Sequence, residues 1–600
     1  MQRARAFANF SGILFCASLL LPGLVQATTV TLLHYNDLHA HLTSHPDRIP
    51  DAPLGQTANT TKIVERGGMA RIATLVKRER ARNPNSVLMN IGDTFHGGVE
   101  ALYTLGNAVA DPVNALGIDI GVPGNWDFAY GPTVTRLRYA SLSAAEARLL
   151  EAVTGQRLSQ SDIKKPNFQN LAANITYTAP RTKAGQTLLP PTWITTRAGI
   201  KLGFIGISSD IVPQMSPILA YGLDFLQGED NYRQLVERLA RSLRSQGAQL
   251  VFVMSELGIH KDKRLADVIA AGTVDVFFSA HTHEATFVPL VGNSGALVVE
   301  AGNDGYLGRM DVVMGGAKPV FNWSLLPVDS SIAEDATMKK LVDTARAPFL
   351  VADPNLLVPL PYAKQYLHQA ITTVVGHTNG ALDRRSALDS SFNRAFSDAF
   401  RKMAGTPIAL APGFRMDAVI GAPGEPEDNT LAQGEITVED VYRFFPVLFT
   451  LATGQTSGAQ LKGMMEQNLT GVFSRDAFKQ AGGWFDGFGG VGLVLNMAGT
   501  DGARIQSAWL TDTGHNLDDA AVYSVAGCQR PGDTPDMLCS FPGFSNVQPI
   551  VNPATTAPWT IADLFVAMLK QGPLPATVSH ITDTSATPVW PAAPFVQPLW

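Results

Sequence analysis

Short apolar runs alternate with longer helical stretches from Thr28 onward, the pattern of a layered α/β domain. Five runs read as strands: Thr29–Tyr35, Ser86–Asn90, Ile118–Val122, Leu250–Met254 and Val274–Ser279. Each gives way to a polar cluster, and open sheets carry their sites at the carboxyl ends of their strands. Between them, Met69–Arg82 and Tyr232–Ser245 read as helices, Ser141–Gln160 as an inserted helix pair, and Gln186–Thr195 as a loop leading back to a strand. This first domain is expected to span 28–330. Glu334–Ala347 predicts a polar helix inside a linker at 331–367. A second, smaller α/β unit is patterned most clearly from His368 to Trp509 and is bounded at 368–545. The Pro-rich stretch 546–600, with Trp590 and Trp600, is expected to wrap back over a domain surface as a tail.

At 600 residues the chain is too long for one hydrophobic core. Its 45% apolar and 16% charged composition is that of a folded soluble protein. The net charge of −6 leaves no basic excess, which argues against a nucleic-acid partner. Three cysteines exclude a disulfide-built scaffold and a thiolate-rich metal framework. Arg3 and Arg5, the apolar run Ile13–Val25 and the small residues of Val25-Gln26-Ala27 make residues 1–27 an export signal cleaved after Ala27. The run is short for a membrane anchor, so the mature chain is expected to be periplasmic or secreted, with no membrane association. In that oxidising compartment Cys528 and Cys539 are expected to close a small disulfide loop.

Of the 12 histidines, eight precede residue 284. The strand ends carry Asp37-Leu38-His39, Gly92-Asp93, Gly124-Asn125-Trp126-Asp127, Ser255-Glu256 and His281-Thr282-His283. An Asp and a His two apart lie on the same side of an extended chain, and so do His281 and His283. Hard or borderline divalent metals take this mixture of carboxylate, imidazole and amide oxygen. A bridging carboxylate such as Asp93 would join two ions, and such a pair makes water nucleophilic near neutral pH and clamps an in-line displacement. Five fragments of this kind in order, each after a strand, predict a metal-dependent hydrolase.

This order of motifs resembles the calcineurin-like metallophosphoesterases of the 5′-nucleotidase family. Gly67-Gly68-Met69-Ala70-Arg71 and Glu300–Asn303 through Gly308-Arg309 resemble that family's connecting segments. Ala411-Pro412-Gly413-Phe414-Arg415 and Gly434-Glu435-Ile436-Thr437 resemble its C-terminal domain. The resemblance implies an αββα domain of two layered sheets followed by the smaller α/β substrate-binding domain. It also implies two divalent ions, Mn²⁺ first and Zn²⁺ or Mg²⁺ as alternatives. One ion would be held by Asp37, His39, Asp93 and His283, and the other by Asp93, Asn125, Glu256 and His281. Glu256 stands where the family has a histidine.

Trp126 stands where the family has another histidine, within a catalytic group completed by Asn125 and Asp127. Indole has one N–H donor and no group that titrates near neutrality, so it cannot shuttle a proton. Either His96 serves as the acid or the leaving group needs little protonation. Trp126 with Pro412–Arg415 resembles the sulfate-thiol hydrolase branch of the superfamily, which removes sulfate from a carrier-protein cysteine. Arg415 and Phe414 are candidates for binding an anionic substrate. Phe485 and Phe488, in the glycine-rich run Gly482–Gly490, are candidates for stacking on a nucleotide base. The leading expectation is therefore an exported hydrolase of a small phosphoester such as a nucleotide. The alternatives are a sulfate-thiol hydrolase with a carrier-protein partner and a non-catalytic relative that binds a metal or an anion.

Overall fold

Unbroken apolar strands need cover on both faces. Here Thr28–Asn36 is buried from Val30 onward and Leu250–Ser255 throughout. The computed structural model describes residues 28–50, 61–361, 364–414, 419–421, 434–575 and 577–585. The expected export signal, Arg415, Trp590 and Trp600 lie outside those residues.

Two six-stranded sheets form the first domain. In the first, Thr28–Asn36 runs parallel to Ser86–Ile91, which runs parallel to Ile120–Val122. In the second, Leu250–Ser255 lies between Ile200–Ile207 and Val276–Ser279, parallel to both. The sheets face each other across Leu32, Met89 and Val122 on one side and Phe204, Phe252 and Phe278 on the other. Helices Met69–Arg82, Asn107–Ala115 and Ala336–Arg346 cover the outside of the first sheet. Glu229–Ser245 and Ile259–Val268 cover the second. Glu229–Ser245 does so with Tyr232, Leu235, Val236, Leu239, Ala240 and Leu243, spaced three and four apart as a helix face requires. The layering is αββα.

In the second domain, a five-stranded sheet is packed by Ser391–Ala404, Gly458–Phe473 and Ile561–Leu569. This revises the expected boundary at 546. Ser545–Pro549 pairs with Thr450–Ser457, Ile581–Asp583 pairs with Val491–Leu495, and Ile561–Leu569 buries Ile561, Leu564, Phe565 and Met568. The stretch is an integral part of the domain because its apolar helix completes the core. The inserted pair at 141–160 is one helix, Ala144–Thr154, which stops at Gly155 in a left-handed conformation and is followed by a short turn, Gln160–Asp162. The expected linker helix instead docks on the first domain through Met338 and Val342. Among the described residues no helix is long and apolar enough to cross a membrane.

One apolar cluster runs from Leu102 and Tyr103 of the first domain into Phe392 and Phe444 of the second. The Tyr103 and Tyr442 hydroxyls are hydrogen-bonded across the boundary at 2.8 Å. Beside them Arg346 donates to both carboxylate oxygens of Glu439, at 2.7 and 2.8 Å, and meets Glu100 at 3.0 Å. Burial alone would raise the Glu439 carboxyl, but Arg443 and Arg346 outweigh it and hold it at about 2. Removing one member of a buried ion pair strands the other, so Arg346→Met is expected to cost on the order of 3 kcal/mol in denaturant unfolding. A depressed carboxyl stabilises above its unfolded pKa. The gap between wild type and variant should therefore narrow as pH falls from 4.5 to about 2. An unchanged midpoint at neutral pH would show that Arg346 does not hold the domains together.

Candidate metal centre and substrate cavity

Register places the candidate motifs on one edge of the sandwich. Asn36 lies opposite Ile91, Ile91 opposite Val122, and Ser255 opposite both Ile207 and Ser279. The segments that follow these strands therefore emerge side by side. Backbone bonds bind two of them: Asp37 N–H to Gly92 O, His39 N–H to Asp93 O and Ala40 N–H to Thr94 O.

Asp37, His39, Asp93, His281 and His283 all leave their strands in the left-handed region, with φ between 45° and 77°. Such non-glycine conformations cost of order 1–3 kcal/mol each and persist where the surroundings enforce them. They also correct the extended-chain argument. The turns send His281 and His283 to different clusters instead of aiming both at one ion. Thr282 between them is anchored by its bonds to Glu300 and to the Ile259 N–H.

One cluster contains Asp37, His39 and His283, with His283 Nε2 at 3.3 Å from Asp37 Oδ1 and 3.1 Å from His39 Nε2. The other contains Asp93, Glu256 and His281, with His281 Nδ1 at 3.6 Å from Glu256 Oε2. Asp93 Oδ2 lies 3.8 Å from His39 Nε2, which places this carboxylate between the two clusters. Gly92 and Gly124 leave room for the Glu256 carboxylate, which a Cβ at either position would strike, and Gly124 also for Asp93 Oδ1. Both Glu256 oxygens and Asn125 Oδ1 are buried without a hydrogen-bond partner among the described residues. Burial, then Asp93 and Asp37, pushes the Glu256 carboxyl well above its ordinary range, and burial, then Asp37 and Asp127, does the same to Asp93. Burial would also raise Asp37, but His283 and His39 outweigh it and hold that carboxyl down. Converging buried carboxylates with unclaimed lone pairs fit divalent cations.

The other expected catalytic residues divide by position. Asp127 accepts from the Thr94, Phe95 and Gly124 N–H groups at 2.9–3.1 Å, so it pins the loops and does not face the cavity. The Trp126 N–H holds Asp93 Oδ1 at 2.7 Å, and its indole stacks on His96 with ring centroids 4.9 Å apart. Burial, then His39, lowers His96 to about 3. Near this centre His41 and His45 share Asp304, at 3.3 and 3.1 Å. Burial opposes a charge on His45, but Asp304 outweighs it and raises it to about 9, whereas burial and His45 lower His41 to about 4. This third cluster, too, has the composition to hold a metal ion.

The metal-ligand candidates open into a cavity of about 880 Å³ between the domains, lined by His281, His283, Trp126, Phe414, Phe449 and Arg530 among others. Phe414 packs edge-on against Trp126 at 5.3 Å. Phe485 and Phe488 do not line it. They are buried against each other, with Phe488 also facing Phe541, and belong to the second domain's core. Arg384 and Arg385 are also buried, although charged side chains usually stay solvated. Arg384 is surrounded by Phe392, Phe414, Phe444 and Phe445, and Arg385 donates to the His283 carbonyl at 2.9 Å. Cys528 and Cys539 form a disulfide whose loop reaches the cavity wall. Sequence reading missed Met215, Phe449 and Arg530. The cysteine pair bracketing Arg530 was the one signal that marked the loop.

The fold and the strand-end carboxylate–imidazole centre define a metallophosphoesterase-type hydrolase. Residues 30–285 match the calcineurin-like phosphoesterase family and residues 372–529 the 5′-nucleotidase C-terminal domain, together more than half of the chain. The chain belongs to the 5′-nucleotidase family of calcineurin-like phosphoesterases and is a hydrolase. A probable 5′-nucleotidase of Treponema pallidum is 25% identical over 73% of this chain and 75% of its own length. Two Thermus thermophilus structures share the fold at 20% identity. Sulfate thiohydrolase SoxB superposes with a TM-score of 0.72 over 94% of this chain and 98% of its own. A 5′-nucleotidase precursor superposes with a TM-score of 0.67 over 94% and 100%.

At free Mn²⁺ about 100 times Kd, binding at one site should stabilise the fold by about 2.7 kcal/mol. Asp93→Asn is expected to abolish most of that gain at both clusters and Glu256→Gln at one. Thermal shift and elemental analysis of the same samples check this. Full metal content in Asp93→Asn would refute its place between the clusters.

Proposed function

We propose that the chain is an exported, two-metal hydrolase that cleaves a small anionic phosphoester, a nucleotide-like monoester being the leading substrate. The observation that carries this reading is the pair of ligand clusters joined at Asp93 and opening into the interdomain cavity. Asp37, His39, His283 and Asp93 would hold one ion, and Asp93, Glu256, His281 and Asn125 the other. Divalent ions there would polarise the ester and activate water. The protein's own contribution is orientation and exclusion of water. Asp127 and the Trp126 N–H fix the loops around Asp93, and Trp126 and Phe414 wall the leaving-group side. Support for nucleotides comes from the Treponema relative, a probable 5′-nucleotidase. Arg415, outside the described residues, remains the candidate for pairing with the substrate's anionic group.

A second reading is favoured by Trp126. An indole in place of an acid suits a leaving group that departs as an anion, such as the thiolate of a carrier-protein cysteine. The SoxB structure is of a sulfate thiohydrolase.

The test reloads the mature chain with Mn²⁺ and assays AMP, UDP-glucose and bis(p-nitrophenyl) phosphate beside Asp93→Ala and Trp126→His. Nucleotide turnover that falls more than about 100-fold in Asp93→Ala is the expected result. Bound metal with phosphoesterase activity only in Trp126→His would overturn it in favour of sulfur. A chain that binds no metal would sink both readings.

A further inference from the structure

The disulfide loop Cys528–Cys539 reaches across to the first domain. Arg530 Nη1 donates to the Met215 carbonyl at 2.9 Å, and the Pro531 carbonyl accepts from Ser216 Oγ at 3.2 Å. The Met215 sulfur in turn lies 3.4 Å from Asn125 Nδ2, so one residue separates Arg530 from the metal-ligand candidates. The guanidinium lies over the Phe449 ring, 5.3 Å from its centroid. Its buried Nε has no hydrogen-bond partner among the described residues. The two nearby carboxylates are otherwise engaged: Asp533 by the Arg530 backbone N–H, Asp486 by the Gly413 N–H and the Asn468 amide. A guanidinium has five donors in a rigid fork, and this one spends a single donor on the described residues.

Between the metal-ligand candidates and Arg530 runs an aromatic wall. Phe414 meets Trp126 at 5.3 Å and Phe449 at 5.9 Å, and Phe449 lies beneath Arg530. One end of the cavity thus suits an ester anion, the middle an apolar body, and the far end a second anion.

Building on the hydrolase reading, we propose that Arg530 receives a second anionic group, a carboxylate or a further phosphate, on the leaving-group side of the substrate. The substrate class is a phosphoester whose leaving group has an apolar or aromatic body and carries a negative charge of its own.

The test compares phenyl phosphate with 3-(4-phosphonooxyphenyl)propanoate on wild type, Arg530→Met and Arg530→Lys. Free 3-phenylpropanoate serves as a binding probe by calorimetry, and mass spectrometry and thermal melts check that the disulfide and fold persist. Arg530→Met is expected to raise KM for the carboxylated ester about 10- to 100-fold, with kcat and the phenyl phosphate KM unchanged. Arg530→Lys should recover part of the loss. Equal KM changes for both esters, or none, would overturn the proposal. Should wild type hydrolyse neither ester, the probe still decides. Probe affinity at least 10-fold weaker in Arg530→Met supports the anion site although the hydrolase reading has failed, and equal affinity overturns it.

Discussion

Mutual repulsion among buried carboxylates at the seam between the two sheets is the constraint on which the rest of the structure depends. Asp37, Asp93, Asp127 and Glu256 converge there out of reach of bulk water. Asp127 is satisfied by backbone N–H groups and Asp37 by two imidazoles. For Asp93 and Glu256 the protein supplies less than their charge demands, a deficit that a divalent cation would answer. The left-handed turns and the two glycines are the local cost of bringing the groups so close. Stability is given up at the strand ends for an arrangement that pays only when ions are bound.

The second domain is part of that arrangement. Arg385 reaches the His283 carbonyl, and Gly482 sits against the His281 ring so closely that a Cβ would strike it. Ligand candidates of both clusters therefore touch the second domain, while the shared apolar core and the Arg346–Glu439 pair join the domains. The cavity is shaped as much by this closure as by either domain alone.

The sequence made the layered sheets legible because strands buried on both faces must be continuously apolar, and each such run stopped at a polar group. It also made legible which residue types meet at the strand ends. How they divide between two clusters was beyond spacing, since that division rests on turns at His281 and His283 whose backbone angles no alternation rule anticipates. The aromatic run at 482–490 misled for a related reason: a ring flanked by glycines looks accessible, yet Phe485 and Phe488 pack inward while the backbone faces the cavity. Arg384 and Arg385 are charged yet buried, because aromatic rings and a carbonyl receive them. The Ile561–Leu569 helix lies in the stretch expected to be a Pro-rich tail over a domain surface, although its apolar run carried the signal.

Trp126 links the chemistry to the shape of the cavity. Its N–H steadies Asp93, so the backbone of this residue serves the metal-ligand cluster whatever its side chain. The side chain instead extends an apolar wall from His96 to Phe414 and so excludes water where a leaving group would depart. A site that has exchanged an imidazole for an indole has exchanged proton delivery for hydrophobic contact. Such a site discriminates among esters by how well the departing group bears negative charge unaided and how much apolar surface it presents. On the proposed reading, the shape of the wall and the guanidinium at its end would select among such esters.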